Sequence, residues 1–93
     1  MINLRKEAKG RDCQIRVPGF CYHSSETVVG CHFPINKGIA LKSHDMFIAW
    51  GCMGCHRVVD LVEKTPFTKE QIRLMHAEGV LRTQAILIKE GKL

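Results

Sequence analysis

This chain of 93 residues has no long apolar run. A membrane span needs roughly 18 consecutive apolar residues, and no stretch approaches that. The opening "MINLRKEAKGRDC" has charges but no apolar segment behind them, which argues against a secretory signal. The expected compartment is therefore the cytoplasm, with no membrane partner, and there disulfides rarely persist. Aromatics are also scarce, at 6% of the chain. At this length a hydrophobic core alone is marginal, so a covalent or metal staple is expected. Repeats, low-complexity tails and linkers long enough to divide two domains are all missing. One domain over residues 1–93 is the expectation.

Cysteine and positive charge are present. The formal charge is +5 and the sequence pI about 9.1, a balance that suits a polyanionic partner, nucleic acid first. The basic residues are spread along the chain, so ordinary solvated surface is the competing reading. Arg11, Arg57 and Arg82 are the candidate phosphate contacts.

"NLRKEAKG" reads as a short helix or arm stopped by Gly10. "CQIRV" alternates like a strand and runs into the turn signal "PGF". "ETVVGCHF" is a second strand candidate, with Val28, Gly30 and His32 on one face and Val29, Cys31 and Phe33 on the other. After a loop marked by Pro34 and Gly38, "MFIAW" reads as a buried strand. A CMGC turn then leads into "HRVVDLVEK", a predicted helix of about two and a half turns ended by Pro66. "TKEQ" fits a capping box opening a last helix over about 69–90, stopped by Gly91. Leu74, Ala77, Leu81, Ala85 and Ile88 recur at spacings of three and four and are the predicted buried stripe of that helix. Gly79 inside it predicts a kink or close packing.

Five cysteines invite a metal reading. Cys52 and Cys55 form a CxxC knuckle ahead of a helix, and Cys13 and Cys21 bracket the turn "QIRVPGF". Four thiolates arranged tetrahedrally suit a closed structural Zn²⁺ site. The alternatives are buried free thiols or a redox pair, and the latter lacks the βαβ context it needs. Cys31 is left over as a small core residue.

His56 and Asp60 stand four apart, so both project from one helix face just past the knuckle. Such a pair can hold one divalent cation, or can be an ordinary surface pair. His32 ends a strand that a strand–loop–strand–helix order can bring near His56. There it can act as a general base or be a satisfied core histidine. His44 and Asp45 end the loop, where either can orient His32 or complete a metal shell. His23 and His76 carry no companion signal and read as structural or exposed.

A strand with a late histidine, a loop, a strand, then CxxCH opening a helix resembles the ββα-metal, or HNH, nuclease motif. The opening "NLRKEAKGRDCQIRVPGFC", the middle "HFP" and "CMGCHRVVD", and the closing "HAEGVLRTQAILIKEGKL" resemble the prophage YbcO-like nuclease family, related to the phage Ref recombination nucleases. This likeness covers nearly the whole chain. It implies an α+β fold: a small zinc-stapled ββα-metal core over about 27–64 with an added C-terminal helix. It also implies a metal-dependent DNA endonuclease of phage or prophage origin, linked to recombination and to a recombination protein such as RecA. His32 becomes the base with Asp45 orienting it, and His56 and Asp60 become ligands of a catalytic Mg²⁺ or Mn²⁺. Cys13, Cys21, Cys52 and Cys55 hold structural zinc. Two positions depart from the motif. Cys31 stands where a metal-binding Asp or His often precedes the base, and the middle asparagine is missing, with Asp45 nearest to its role. The rival function is a non-catalytic zinc module that binds nucleic acid or a recombination protein.

Overall fold

The computed structural model describes residues 6–34 and 45–93, the side chain of Asp45 excepted. The loop positions 35–44, His44 among them, lie outside the described residues. Two strands, β1 (Val29–His32) and β2 (Ile48–Gly51), pair antiparallel, with Gly30 opposite Trp50 and His32 opposite Ile48. Two helices follow, α1 (Met53–Val59) and α2 (Lys69–Lys89), and short 3₁₀ turns occupy Lys6–Ala8, Ser25–Thr27 and Asp45–Phe47. The result is a small α+β fold. No described helix is long and apolar enough to cross a membrane.

All four residues of β2 are buried, so this strand is the centre of the molecule. One edge pairs with β1. On the other, the Gln14 N–H donates to the Trp50 carbonyl (2.6 Å) and the Trp50 N–H donates to Thr83 Oγ1 of α2 (3.0 Å). An open sheet edge would leave these backbone groups unpaired, so α2 and the Cys13–Val17 segment together close it. Ile15, Val17, Ile48, Trp50, Val58 and Leu87 fill the core beneath.

Three expectations need correction. Cys13–Val17 is a turn, not a strand: Arg16 takes a left-handed φ of 57° and its Nε donates back to the Cys13 carbonyl (3.1 Å). Cys13, Gln14, Ile15 and Val17 are all buried there without a strand ladder, so the alternation of residue types does not mark two faces.

Helix α1 begins within the knuckle, with Cys52 as its N-cap residue, and stops at Val59, well before Pro66. It ends because Leu61 turns left-handed (φ 61°), with the Leu61 N–H on the Val58 carbonyl and the Val62 N–H on the Arg57 carbonyl, both 3.0 Å. This is a Schellman cap with leucine where glycine is usual.

The third correction concerns α2. Its capping box is present as expected, Gln71 N–H to Thr68 Oγ1 and Thr68 N–H to Gln71 Oε1. Its inward face, however, is Ile72, His76, Gly79, Val80, Thr83 and Leu87. Leu74, Leu81 and Ile88 of the predicted buried stripe are exposed at 61%, 64% and 62%. Gly79 marks close packing: a Cβ there would stand 3.0–3.2 Å from Ile15 and Ala49.

Candidate metal centre and the histidine–carboxylate pair

The four cysteines singled out by their spacing come together. One sulfur from each of Cys13, Cys21, Cys52 and Cys55 lies within 4.8 Å of all the others. Cys13 and Cys55 sulfurs are 3.5 Å apart and those of Cys21 and Cys52 3.7 Å. Four sulfurs around one zinc at about 2.3 Å would be about 3.8 Å apart, so the donor set fits a tetrahedral ion. Backbone amides turn toward the sulfurs as well: Val17 N–H donates to Cys55 Sγ (3.3 Å) and Tyr22 N–H to Cys52 Sγ (3.2 Å). Amide donors favour the thiolate form a metal requires.

The packing works against four thiolates without a cation. Cys13 is pulled down to about 4 by the hydrogen bond it shares with Cys55, and that same contact, with burial, drives Cys55 far up. Burial raises Cys21 to about 11. The cluster thus takes a negative charge at Cys13 readily and resists charge at Cys21 and Cys55, an opposition that a bound divalent ion removes.

One residue that sequence reasoning passed over holds this centre together. A Cβ on Gly54, between the two knuckle cysteines, would meet the Phe20 carbonyl oxygen at 2.1 Å and the Tyr22 ring at 2.8 Å. Helix α1 can therefore approach the Cys21 loop only because position 54 has no side chain. The signal was the G of "CMGC", which an eye on sulfur spacing reads as filler. Cys31 is buried, with its thiol pushed up to about 12 by that burial, and stands outside the cluster as expected.

His56, midway along α1, meets Asp60, the C-cap residue, with Nε2 to Oδ2 at 3.0 Å. Their side chains are 34% and 54% exposed, so water and a ligand both have access. Two donor atoms on adjacent octahedral positions around Mg²⁺, at about 2.1 Å each, would also be about 3.0 Å apart. The pair is in direct contact as an ion pair, at a separation that two ligands of one hard cation would also have. Among the described residues no third metal-type donor joins them. His32 is exposed at the end of β1, and Asp45 begins the 3₁₀ turn leading into β2.

His76 is the histidine the sequence undersold. It is buried on α2, with Nε2 at 3.0 Å from the Cys31 carbonyl and its ring edge-on to Phe33 at 5.1 Å. It therefore ties the residues on both sides of His32 to α2. Burial holds it below the ordinary imidazole value, and the charges of Asp60 and His56 are near enough to act on it. Arg73 covers the other part of the Phe33 ring at 4.5 Å.

The three candidate phosphate contacts sit differently. Arg57 is about half exposed, with Nε 3.5 Å from Glu63. Arg82 donates Nε and Nη2 to the Gln14 carbonyl at 2.8 and 2.6 Å. Arg11 bridges Glu90 and Glu7 and lies 4.7 Å over the Trp50 ring, and the two carboxylates raise its already high value further.

These features define a class: a small α+β domain closed around a four-cysteine cluster, three of its residues buried, that suits a structural metal such as zinc, with a histidine–carboxylate pair directly after it on α1. The chain belongs to the YbcO family, since the family model described as "Putative nuclease YbcO" matches residues 2–92. It is 38% identical over 94 residues to "Putative nuclease YbcO" of Escherichia coli (strain K12), covering 98% of this chain and 96% of that one. "Putative nuclease ybcO" of Enterobacteria phage 82 matches to the same extent. A solved structure, "Structure of a putative bacteriophage protein from Escherichia coli str. K-12 substr. MG1655", superposes with a TM-score of 0.80 at 32% identity, covering 96% of this chain and 100% of that one.

Proposed function

We propose that this protein is a metal-dependent DNA endonuclease of the HNH, or ββα-metal, type. One observation carries the reading: in β1–β2–α1 order, His32 is exposed at the end of the first strand and α1 presents His56 paired with Asp60 at 3.0 Å. The names of the relatives support nucleic-acid cleavage, and the phage 82 relative supports a prophage origin. The link to recombination, and a protein partner such as RecA, enter through the family resemblance alone.

In this reading the four cysteines hold zinc as a structural staple. His56 Nε2 and Asp60 Oδ2 are ligands of Mg²⁺ or Mn²⁺, with Asp45 the next candidate. The ion, when bound, neutralises charge on the scissile phosphate and the leaving oxygen. His32 takes the proton from the attacking water. His76 keeps the Cys31 end of β1 in place, which fixes the direction from which His32 works. Arg57 holds a flanking phosphate without reading bases.

A plasmid-nicking assay tests the assignment together with Mn²⁺ calorimetry. His56→Ala should lose both cutting and Mn²⁺ binding. His32→Ala should lose cutting while Mn²⁺ still binds. Cutting that survives His32→Ala removes the base, and equal loss of Mn²⁺ in both variants makes His32 a ligand. The lack of a third donor beside His56 and Asp60 among the described residues favours one rival, a zinc module that binds DNA without cutting it. Steeply salt-dependent binding with no nicking under any divalent ion would establish that rival.

A further inference from the structure

Helix α2 turns a mixed face of Ile72, His76, Gly79, Val80, Thr83 and Leu87 to the core and an apolar face to solvent. At about 100° per residue, Leu74, Ala77, Leu81, Ala85 and Ile88 fall within an arc of about 80°, nearly opposite the arc of Ile72, His76, Thr83 and Leu87. The three large residues of this outer stripe are each more than three-fifths exposed. A solvent-facing stripe normally carries charge, so leucine and isoleucine at every second turn mark a contact surface.

The order along the stripe says what fits it. Spacings run three, four, four, three, and sizes run large, small, large, small, large. Both sequences read the same in either direction about Leu81. We infer that the occupant is a second copy of this chain, its α2 lying antiparallel across the first on a two-fold axis through Leu81. Leu74 then meets Ile88 of the second copy, Ala77 meets Ala85, and the alanines allow the backbones to approach. Such self-complementarity is what a two-fold interface requires of a surface.

Charge supports the antiparallel sense. Glu78 and Arg82 lie along the same border of the stripe, four residues apart and nearly centred on the axis. Reversing one helix sets the exposed Glu78 of each copy against Arg82 of the other. The Arg82 Nε and Nη2 donate to a neutral acceptor, the Gln14 carbonyl, not to a carboxylate. A parallel pair would instead put this border of the two copies on opposite sides of the seam, where Glu78 and Arg82 cannot meet. The two helix dipoles also oppose favourably only when antiparallel.

Three large side chains on a helix of about 30 Å make an interface at or below the roughly 800 Å² per partner of standard complexes. The dimer is therefore reversible, not obligate.

Light scattering after size exclusion, across about 1 µM to about 1 mM, tests this in the range of a weak complex. The wild-type mass should rise from monomer to dimer. Leu81→Glu should stay monomeric throughout with an unchanged melting temperature, since the side chain is mostly exposed. Glu78→Arg should shift the transition to higher concentration. Val62→Glu, at an equally exposed position outside α2, should dimerise like the wild type. A photo-crosslinking residue at position 74 should label the partner near residue 88. A wild type that stays monomeric, a Leu81→Glu dimer, or a crosslink from 74 to 74 would overturn the proposal.

Discussion

At its start, α1 carries Cys52 and Cys55, fully buried and each receiving an amide hydrogen bond from the 17–22 segment. From mid-helix to its C-cap, His56 and Asp60 stand partly exposed and hold each other. The two ends of one seven-residue helix thus face opposite demands. A structural metal centre gains from enclosure, because every donor then has a fixed position before the ion arrives. A site that must admit a phosphate and a water cannot be enclosed, and its groups stay accessible. The backbone follows the same division. The first end needs a glycine for close approach, and the second ends in a leucine forced left-handed.

Breaking the enclosed end should have the largest effect. A closed zinc site contributes on the order of 10 kcal/mol to folding, more than a chain of this size has in reserve. Cys52→Ser and Cys13→Ser should each reduce zinc from about one per chain to near none, and cooperative thermal unfolding should be lost. Gly54→Ala should weaken zinc retention against a chelator while every sulfur remains, since the Phe20–Tyr22 loop must retreat from the new methyl. Wild-type zinc content and melting temperature in the serine variants would mean the cluster is not a metal centre.

The second effect is read by pH and concerns α2, not the cysteine centre. His76 is buried and depressed, so the folded state binds its proton more weakly than the unfolded chain does. The unfolded chain therefore gains protons first as pH falls below the ordinary imidazole value of about 6.5. Stability from this group is complete above that value and declines below it. His76→Gln, which can still donate toward the Cys31 carbonyl, should flatten the fall in melting temperature between about pH 6.5 and the depressed native value. Zinc loss from the cysteines would appear separately, as metal released. An unchanged slope in His76→Gln would show that another group titrates there.

The same contrast explains what could be read from sequence. The cysteine centre was legible because sulfur has few surface uses and CxxC before a helix is a local pattern. The strands β1 and β2 and the capping box of α2 were legible for a similar reason. Cys13–Val17 misled because its apolar residues alternate in type, as in a strand, although Cys13, Gln14, Ile15 and Val17 are all buried in a tight turn. The inward face of α2 misled more deeply. It packs on backbone that needs partners, so His76 and Thr83 face inward to the Cys31 carbonyl and the Trp50 amide, and Gly79 makes room for Ile15. A face made of polar and small residues does not look like core, whereas the solvent stripe of Leu74, Leu81 and Ile88 does.

The smallest effect concerns how α1 stops. Two Schellman caps with the same hydrogen bonds end α1 and α2, one with Leu61 and the other with Gly91 at the left-handed position. A residue with a Cβ is roughly 1–2 kcal/mol less stable there, while glycine costs about 0.5–1 kcal/mol in the unfolded chain. Leu61 is mostly exposed, though it borders the cleft of Phe33, Ile72 and His76, so it gives up little packing. Leu61→Gly should therefore stabilise by about 0.5–1 kcal/mol, a rise of a few degrees in melting temperature for a chain this size. Gly91→Ala should lower it by a similar amount. If Leu61→Gly melts lower than wild type, the leucine's contacts in that cleft outweigh its strain. The exposed end of α1 would then be held by packing as well as by its cap.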